Sequence, residues 1–357
     1  MRLRMFFVFM LLALLAAACG APEGGAPEGG APEAEGPREL TVMTHDSFAV
    51  SEEVLAAFEA EHNATVTFLL VGDTGSAVNQ AVLAADNPIA DVFYGVDNTF
   101  LSRALEGEIF EPYESPLLAQ IPDQFKLDQE HRALPVDYGD VCLNYDIAYL
   151  EQAGIEPPAN LEALLQPEYA NLLAVQNPAT SSPGLAFLLA TIGHFGEDGF
   201  LDYWQGLVDN GVKVVNDWET TYYTEFSRWG GERPIIVSYG SSPPVEMIYA
   251  EEPMEEPPTA AVVADGACFR QIEFVGILRG TQQRELAEAW VDFMLSPTFQ
   301  EDMPLNMFVF PVNPNAALQP EFVDYLAVPE ETAYVDPAAI DTHREEWIEA
   351  WTETVLR

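Results

Sequence analysis

Residues 39–43 read ELTVM, residues 65–71 TVTFLLV and residues 90–95 ADVFYG, three short apolar runs of strand character. Between the first two, Ser51 to His62 sets Val54, Leu55 and Phe58 on one helical face, and a second helix is expected from about Ser76 to Ala85. Strands alternating with helices of this length require crossover connections and imply a parallel sheet. After Pro135 the chain reads VDYGDVCLNYD, an extended stretch with a central glycine. A short helix, Ile147 to Ala153, closes at Gly154, and Asn160 caps the helical run LEALL. A second series follows: strand Leu172–Gln176, helices Gly184–Phe195 and Phe200–Asn210, strand Val212–Val215 and the strand beginning at Pro234. The extended run FRQIEFVGIL at 269–278 is expected to lead back toward the first series. Arg284–Leu295 is amphipathic, and Ala338–Leu356 forms a charged helix whose Trp347 and Trp351 suit helix packing.

Composition narrows the partners. The 357 residues hold 58 Asp and Glu against 14 Lys and Arg, a formal charge of −44. Only Lys126 and Lys213 are lysines. A surface this acidic repels phosphate backbones and anionic lipid, so nucleic acid is excluded as a partner. With 48% hydrophobic and 11% aromatic residues there is ample material for a core.

The N-terminus reads as an address. Arg2 and Arg4 precede the apolar run Met5–Ala18, which is too short for a comfortable span, and Cys19 follows. Residues 1–18 are therefore expected to be a signal peptide. Cys19 after small residues resembles the lipobox of bacterial lipoproteins, with acylation of that cysteine. The repeat GAPEGGAPEGGAPEAEGP has no apolar face and makes 19–37 a flexible tether. An exported, lipid-anchored body at the periplasm or cell surface is the expectation. In such an oxidising compartment Cys142 and Cys268 form either a disulfide or two buried thiols.

Catalytic motifs are missing: there is no nucleophile elbow, zinc-protease helix, P-loop or dinucleotide fingerprint, and the five histidines are scattered. No catalytic residue and no metal ligand set is assigned. The strand ends are more informative, because ligands of open α/β sheets bind beyond the carboxyl ends of strands. They read Thr44-His45-Asp46-Ser47, Gly72-Asp73-Thr74-Gly75, Thr180-Ser181-Ser182-Pro183-Gly184 and Tyr239-Gly240-Ser241-Ser242-Pro243. Each Ser-Pro step suits a capped helix start whose free N–H groups favour a hydroxyl or phosphate. Trp218, Tyr222, Tyr223 and Tyr138 stand near carboxylates, a combination that suits a flat cation. Adjacent tyrosines also serve as phenolate ligands for ferric iron, and core packing is the commoner fate of such rings.

The segments LTVMTHDSF, ADVFYGVDN, PVDYGDVCLNYD, QNPATSSPGL, VVNDWETTYY, IVSYGSSP and MLSPTFQEDMP with a following FPV occur in order across 39–312. In this series the chain resembles the thiamine-binding solute receptors of ABC importers, within the type II periplasmic binding protein fold. The resemblance implies two lobes, each a mainly parallel sheet flanked by helices, joined by a hinge. Lobe 1 would comprise 38–137 and 268–320, lobe 2 138–267, with 321–357 a helical segment packed on the body. It further implies a monomer that closes on thiamine or a thiamine phosphate, uses no cofactor, and delivers the ligand to a permease with its ATPase subunits.

Carried onto matching positions, the resemblance gives His45 and Asp46 after the first strand, and Asp73 against the aminopyrimidine. Tyr138 comes from the DYG segment. Ser181, Ser182 and Gly184 fall at the hydroxyethyl or phosphate end, and Ser241 joins the site from its strand-end Ser-Pro turn. Trp218, Tyr222 and Tyr239 form an aromatic wall, with Phe308 where the family has Trp. His45 replaces a usual Tyr, and another family Trp has no counterpart. Receptors for ferric iron or polyamine on the same fold, and a surface enzyme acting on thiamine-like substrates, are the competing readings.

Overall fold

The computed structural model describes residues 36–250 and 252–357. The expected signal segment, Cys19 and nearly all of the tether lie outside the described residues. In chain order the first elements are β1 (Arg38–Thr44), α1 (Glu52–His62), β2 (Ala64–Leu70), α2 (Thr74–Leu83), β3 (Val92–Asp97), α3 (Leu101–Glu106) and β4 (Phe110–Glu111). Ser51 caps α1 through the Val54 N–H, and Asn63 ends it in the left-handed conformation, φ 45°. Helix α2 starts two residues earlier than its apolar pattern suggests, because Asp73 supplies the cap.

The chain then runs through β5 (Leu134–Asp146), α4 (Ile147–Ala153), β6 (Leu173–Gln176), α5 (Ser182–Phe195), α6 (Phe200–Asp209), β7 (Lys213–Val215), β8 (Ile235–Tyr239), α7 (Ser242–Ile248) and β9 (Thr259–Val262). It finishes with β10 (Phe269–Leu278), α8 (Arg284–Leu295), α9 (Pro297–Gln300), α10 (Met303–Met307), β11 (Phe310–Pro311), α11 (Pro320–Asp324) and α12 (Pro337–Val355). The run LEALL is a 3-10 turn, Glu162–Leu165, with the Asn160 side chain accepting the Ala163 N–H.

One continuous sheet has the order β2-β1-β3-β10-β5-β8-β6-β7. Its outer parts are parallel: β1 with β2 and β3, and β6 with β7 and β8. Its centre is antiparallel, since β10 opposes both β3 and β5, and β5 opposes β8. The α/β class and the parallel series read from the sequence are present, joined by these two long crossing strands. The expected lobe limit at 137/138 falls inside β5, which passes through it, and the limit at 267/268 falls just before β10.

Packing follows burial. Every residue of β3 is buried, as expected for a strand covered on both faces. Helix α5 is buried along Ser182–Ile192 and lies against β10 and α6. Helix α12 docks on α6 through Trp351, whose ring meets Trp204 edge-on at 5.4 Å. Trp347 and Trp351 are both buried, so they belong to packing.

Cys142 and Cys268 are joined by a disulfide, closing the choice the sequence left open. Phe269 is in register with Val141, which sets the two cysteines opposite one another across β5 and β10. The bond closes a loop with a sequence separation of 126 residues. Replacing both cysteines by serine is expected to lower stability by about 2–4 kcal/mol. Urea denaturation of the oxidised wild type and the double variant measures it; equal midpoints would contradict the expectation.

Candidate functional site

A cavity of about 170 Å³ opens where the strand ends converge. Its wall comes from the β1 end (His45, Asp46, Ser47, Phe48), the start of α2 (Asp73, Thr74) and the start of α5 (Ser182, Pro183). The opposite wall is Trp218, Glu219, Tyr223, Tyr239 and the Asn306–Phe308 segment, and Gln271 and Glu273 of β10 form the floor. Four carboxyl groups and no lysine or arginine line it.

Asp73 ties three segments together. Its Oδ1 accepts the N–H of Thr74 at 2.7 Å and of Ser182 at 3.4 Å, while Oδ2 accepts the N–H of Trp218 at 3.1 Å. One side chain thus caps α2, meets the first turn of α5 and holds the tryptophan loop. Burial pushes its carboxyl up to about 6, opposed by a hydrogen bond from Ser181 and by His45. The same contact changes the expectation for the helix starts. Ser181, not Ser182, is the cap of α5, accepting the Gly184 N–H, and Pro183 is the second helical residue. The Ser182 N–H is taken by Asp73 and its hydroxyl by Asp97. The donors expected to meet a phosphate there are already engaged by carboxylates and a hydroxyl.

His45 is buried, with Nδ1 3.1 Å from Ser47 Oγ and Nε2 3.5 Å from Glu273 Oε1. Burial lowers its pKa even though carboxylates surround it, so the ring is neutral near pH 7. Its position depends on Gly95 in β3, at φ +104°, where a side chain would collide with the imidazole.

The aromatic wall is built in layers. Trp218 stacks on Tyr222 with centroids 4.8 Å apart, and its Nε1 donates to Ser238 Oγ at 3.0 Å. Tyr222 lies behind it, fully buried, donating its hydroxyl to Glu246 at 2.6 Å. Phe308 stands edge-on to Trp218 at 5.6 Å. It adopts φ 61°, unusual for a non-glycine residue, and its carbonyl accepts the Ser241 hydroxyl. Beyond Tyr223, Asn306 and Phe308 lies a second cavity lined by Arg228, Trp229, Glu246 and Tyr249. Arg228 there is paired with Glu246 at 2.8 Å.

Of the residues expected at the site, His45, Asp46, Asp73, Ser182, Trp218, Tyr239 and Phe308 line one cavity. Tyr138, Ser181, Gly184, Tyr222 and Ser241 do not. Tyr138 stacks on Phe125 at 4.9 Å with the Arg270 guanidinium 5.2 Å from its ring. Neighbouring strand residues face opposite ways, and it is Asp137, one position earlier, that joins the polar cluster under the cleft. Ser181 and Tyr222 support lining residues, Gly184 packs on the Gln176 backbone, and Ser241 anchors the Phe308 turn. Sequence reasoning missed Glu273 and Gln271, while Tyr223, noted there with Tyr222 as a candidate aromatic, lines the cavity in Tyr222's stead. The signal for both missed residues was present: Gln271 and Glu273 stand two apart, on one face of the extended run FRQIEFVGIL.

A family model described as bacterial extracellular solute-binding protein matches residues 87–332, and the chain belongs to that family. Among its relatives, the thiamine-binding periplasmic protein of Salmonella typhimurium is 31% identical over 323 residues, covering 89% of this chain and 94% of that protein. A solved periplasmic thiamin binding protein superposes with a TM-score of 0.78 at 28% identity, covering 90% of this chain and 100% of that one. Iron-bound HitA from Pseudomonas aeruginosa shares the fold at 17% identity and a TM-score of 0.72, covering 89% and 99%.

The acidic floor carries a pH prediction. Burial pushes Glu273 from 4.5 up to about 8. Between those values the folded protein holds a proton that the unfolded chain has released, so unliganded stability falls as pH rises. Scanning calorimetry is expected to give a higher Tm at pH 5 than at pH 8, with a shallower trend in Glu273→Gln. Equal slopes in both proteins would overturn the assignment.

Proposed function

We propose that this protein is the extracytoplasmic solute-binding component of an ABC importer that captures thiamine between two lobes and delivers it to a permease with its ATPase subunits. The observation that carries the reading is a cavity lined by aromatic rings and four carboxyl groups, with no lysine or arginine. A thiazolium carries a fixed positive charge on a flat ring. Trp218, Tyr239 and Phe308 offer it ring faces and edges, while Asp46, Asp73, Glu219 and Glu273 supply negative charge. The likeness to thiamine-binding relatives over nearly the whole chain supports the same ligand.

The protein acts by binding, without chemistry and without a cofactor. The ligand shifts an open–closed equilibrium, and the closed shape is what the permease reads. Anchoring through an acylated Cys19 and the 19–37 tether would keep this monomeric body at the membrane surface. The competing ferric reading finds less support. The Tyr222 hydroxyl is engaged by Glu246.

Thiamine is favoured over its phosphates, since the N–H groups at the α5 start are occupied and the cleft lacks cations. Titration of the purified protein, followed by tryptophan fluorescence, should show saturable thiamine binding, tighter than that of thiamine diphosphate. Trp218→Ala should weaken it by about tenfold or more, in line with roughly 0.5–2 kcal/mol for a desolvated cation–ring contact plus lost packing. Tight binding of Fe(III) or spermidine with no response to the thiamine series would sink the assignment.

A further inference from the structure

Under the cleft the chain brings together carboxyl groups that cannot all be charged. Asp137 of β5 and Glu273 of β10 are direct partners across the antiparallel pair. The register shifts between Glu273 and Phe274, skipping Val136 on the other strand. Such a bulge re-aims side chains, and here it lies beside Pro135, which has no N–H to give the ladder. Tyr94 of β3 has one hydroxyl proton for both acids: its oxygen lies 2.6 Å from Asp137 Oδ2 and 3.3 Å from Glu273 Oε2. The other Asp137 oxygen, like His45 Nε2 and Asp46 Oδ1, is buried with no hydrogen-bond partner.

The groups facing Glu273 from each packed element are Asp137 from β5, Tyr94 and Asp97 from β3, His45 from the β1 end, Asp73 from the α2 cap and Tyr239 from β8. None is basic except the neutral His45. Two buried acids side by side, sharing one phenol, hold at least one proton between them. Only Glu273 of this pair lines the cavity.

We propose that the cleft takes its cation in exchange for a proton, released to solvent from the Glu273–Asp137 pair, so that capture strengthens as the medium becomes more alkaline. The exchange balances in charge: the pair loses H⁺, its carboxylate gains the ligand's fixed positive charge as counter-ion, and the complex has the net charge of the empty protein. It rests on the cation reading above. Asp73, pushed up only to about 6, has largely ionised by pH 7 and contributes little there. The proton expected at pH 7 is placed on the pair, where two buried acids share the Tyr94 phenol and burial pushes Glu273 to about 8.

The test is calorimetric titration of the purified full chain with thiamine at pH 7, in phosphate and in Tris, whose protonation heats differ. The difference in observed heat counts the protons released. We expect about one per thiamine bound, with Kd falling by up to about tenfold per pH unit between pH 6 and 8. Glu273→Gln should release almost none and bind with little pH dependence. Equal heats in both buffers with thiamine still bound overturn the exchange and leave the thiamine assignment standing. Undiminished release in Glu273→Gln also overturns it. Failure of the wild type to bind thiamine overturns both. Should the glutamine variant not fold, the wild-type buffer comparison decides alone, and Asp137→Asn gives a second reading of the pair.

Discussion

The register between β5 and β10 is the constraint on which the rest of the molecule depends. These strands are the only antiparallel partners that join the parallel set β2-β1-β3 to the parallel set β8-β6-β7 among the described residues. Their pairing sets Cys268 against Cys142 at one end and Glu273 against Asp137 further along. Side chains alternate along a strand, so a slip of one residue would turn Tyr138 toward the cleft and Asp137 toward Phe125 and Phe310. The disulfide and the bulge beside Pro135 both oppose that slip. A ligand site on the floor of this sheet is therefore only as well defined as the pairing beneath it.

Above the floor, the organisation rests on buried carboxylates used as backbone acceptors. Asp73 holds α2, α5 and the tryptophan loop through three N–H groups, and Asp97 accepts from Thr99, Phe100 and Ser182. The contacts to Thr74, Ser182 and Trp218 position lining residues while consuming donors that an anionic ligand would need. The electronegative cleft is thus a consequence of how its walls are fastened together. It is also distinct from the −44 of the whole chain, which is mostly exterior charge and is screened by salt.

Much of the fold was legible because its signals are periodic. The three opening strands, α1, α8 and α12 come within a residue or two of their apolar patterns. The central antiparallel crossing was visible only as two unusually long extended runs, since pairing direction leaves no mark on a single strand. At the site, the strand ends supplied His45, Asp46, Asp73, Ser182 and Tyr239, and the aromatic pattern Trp218, all of which line one cavity. The failures are failures of direction. The DYG segment named the right strand but its outward residue, and of Tyr222-Tyr223 the one behind the wall was chosen over the one lining it. Facing depends on a bulge in one case and on a short π-helical turn, Thr220–Glu225, in the other, and neither follows from residue type.

The disulfide has a mechanical meaning beyond the stability of the chain. Two strands riveted at one point can flex together, as a leaf spring does, but they cannot slide lengthwise past each other. Any movement of one half of the sheet against the other must then be a rotation about the crossing strands, with the rivet near its axis. The buried carboxyl pair lies on those same strands, close to that axis. Groups near a pivot travel least, so this part of the site would keep its geometry while the aromatic wall does the travelling.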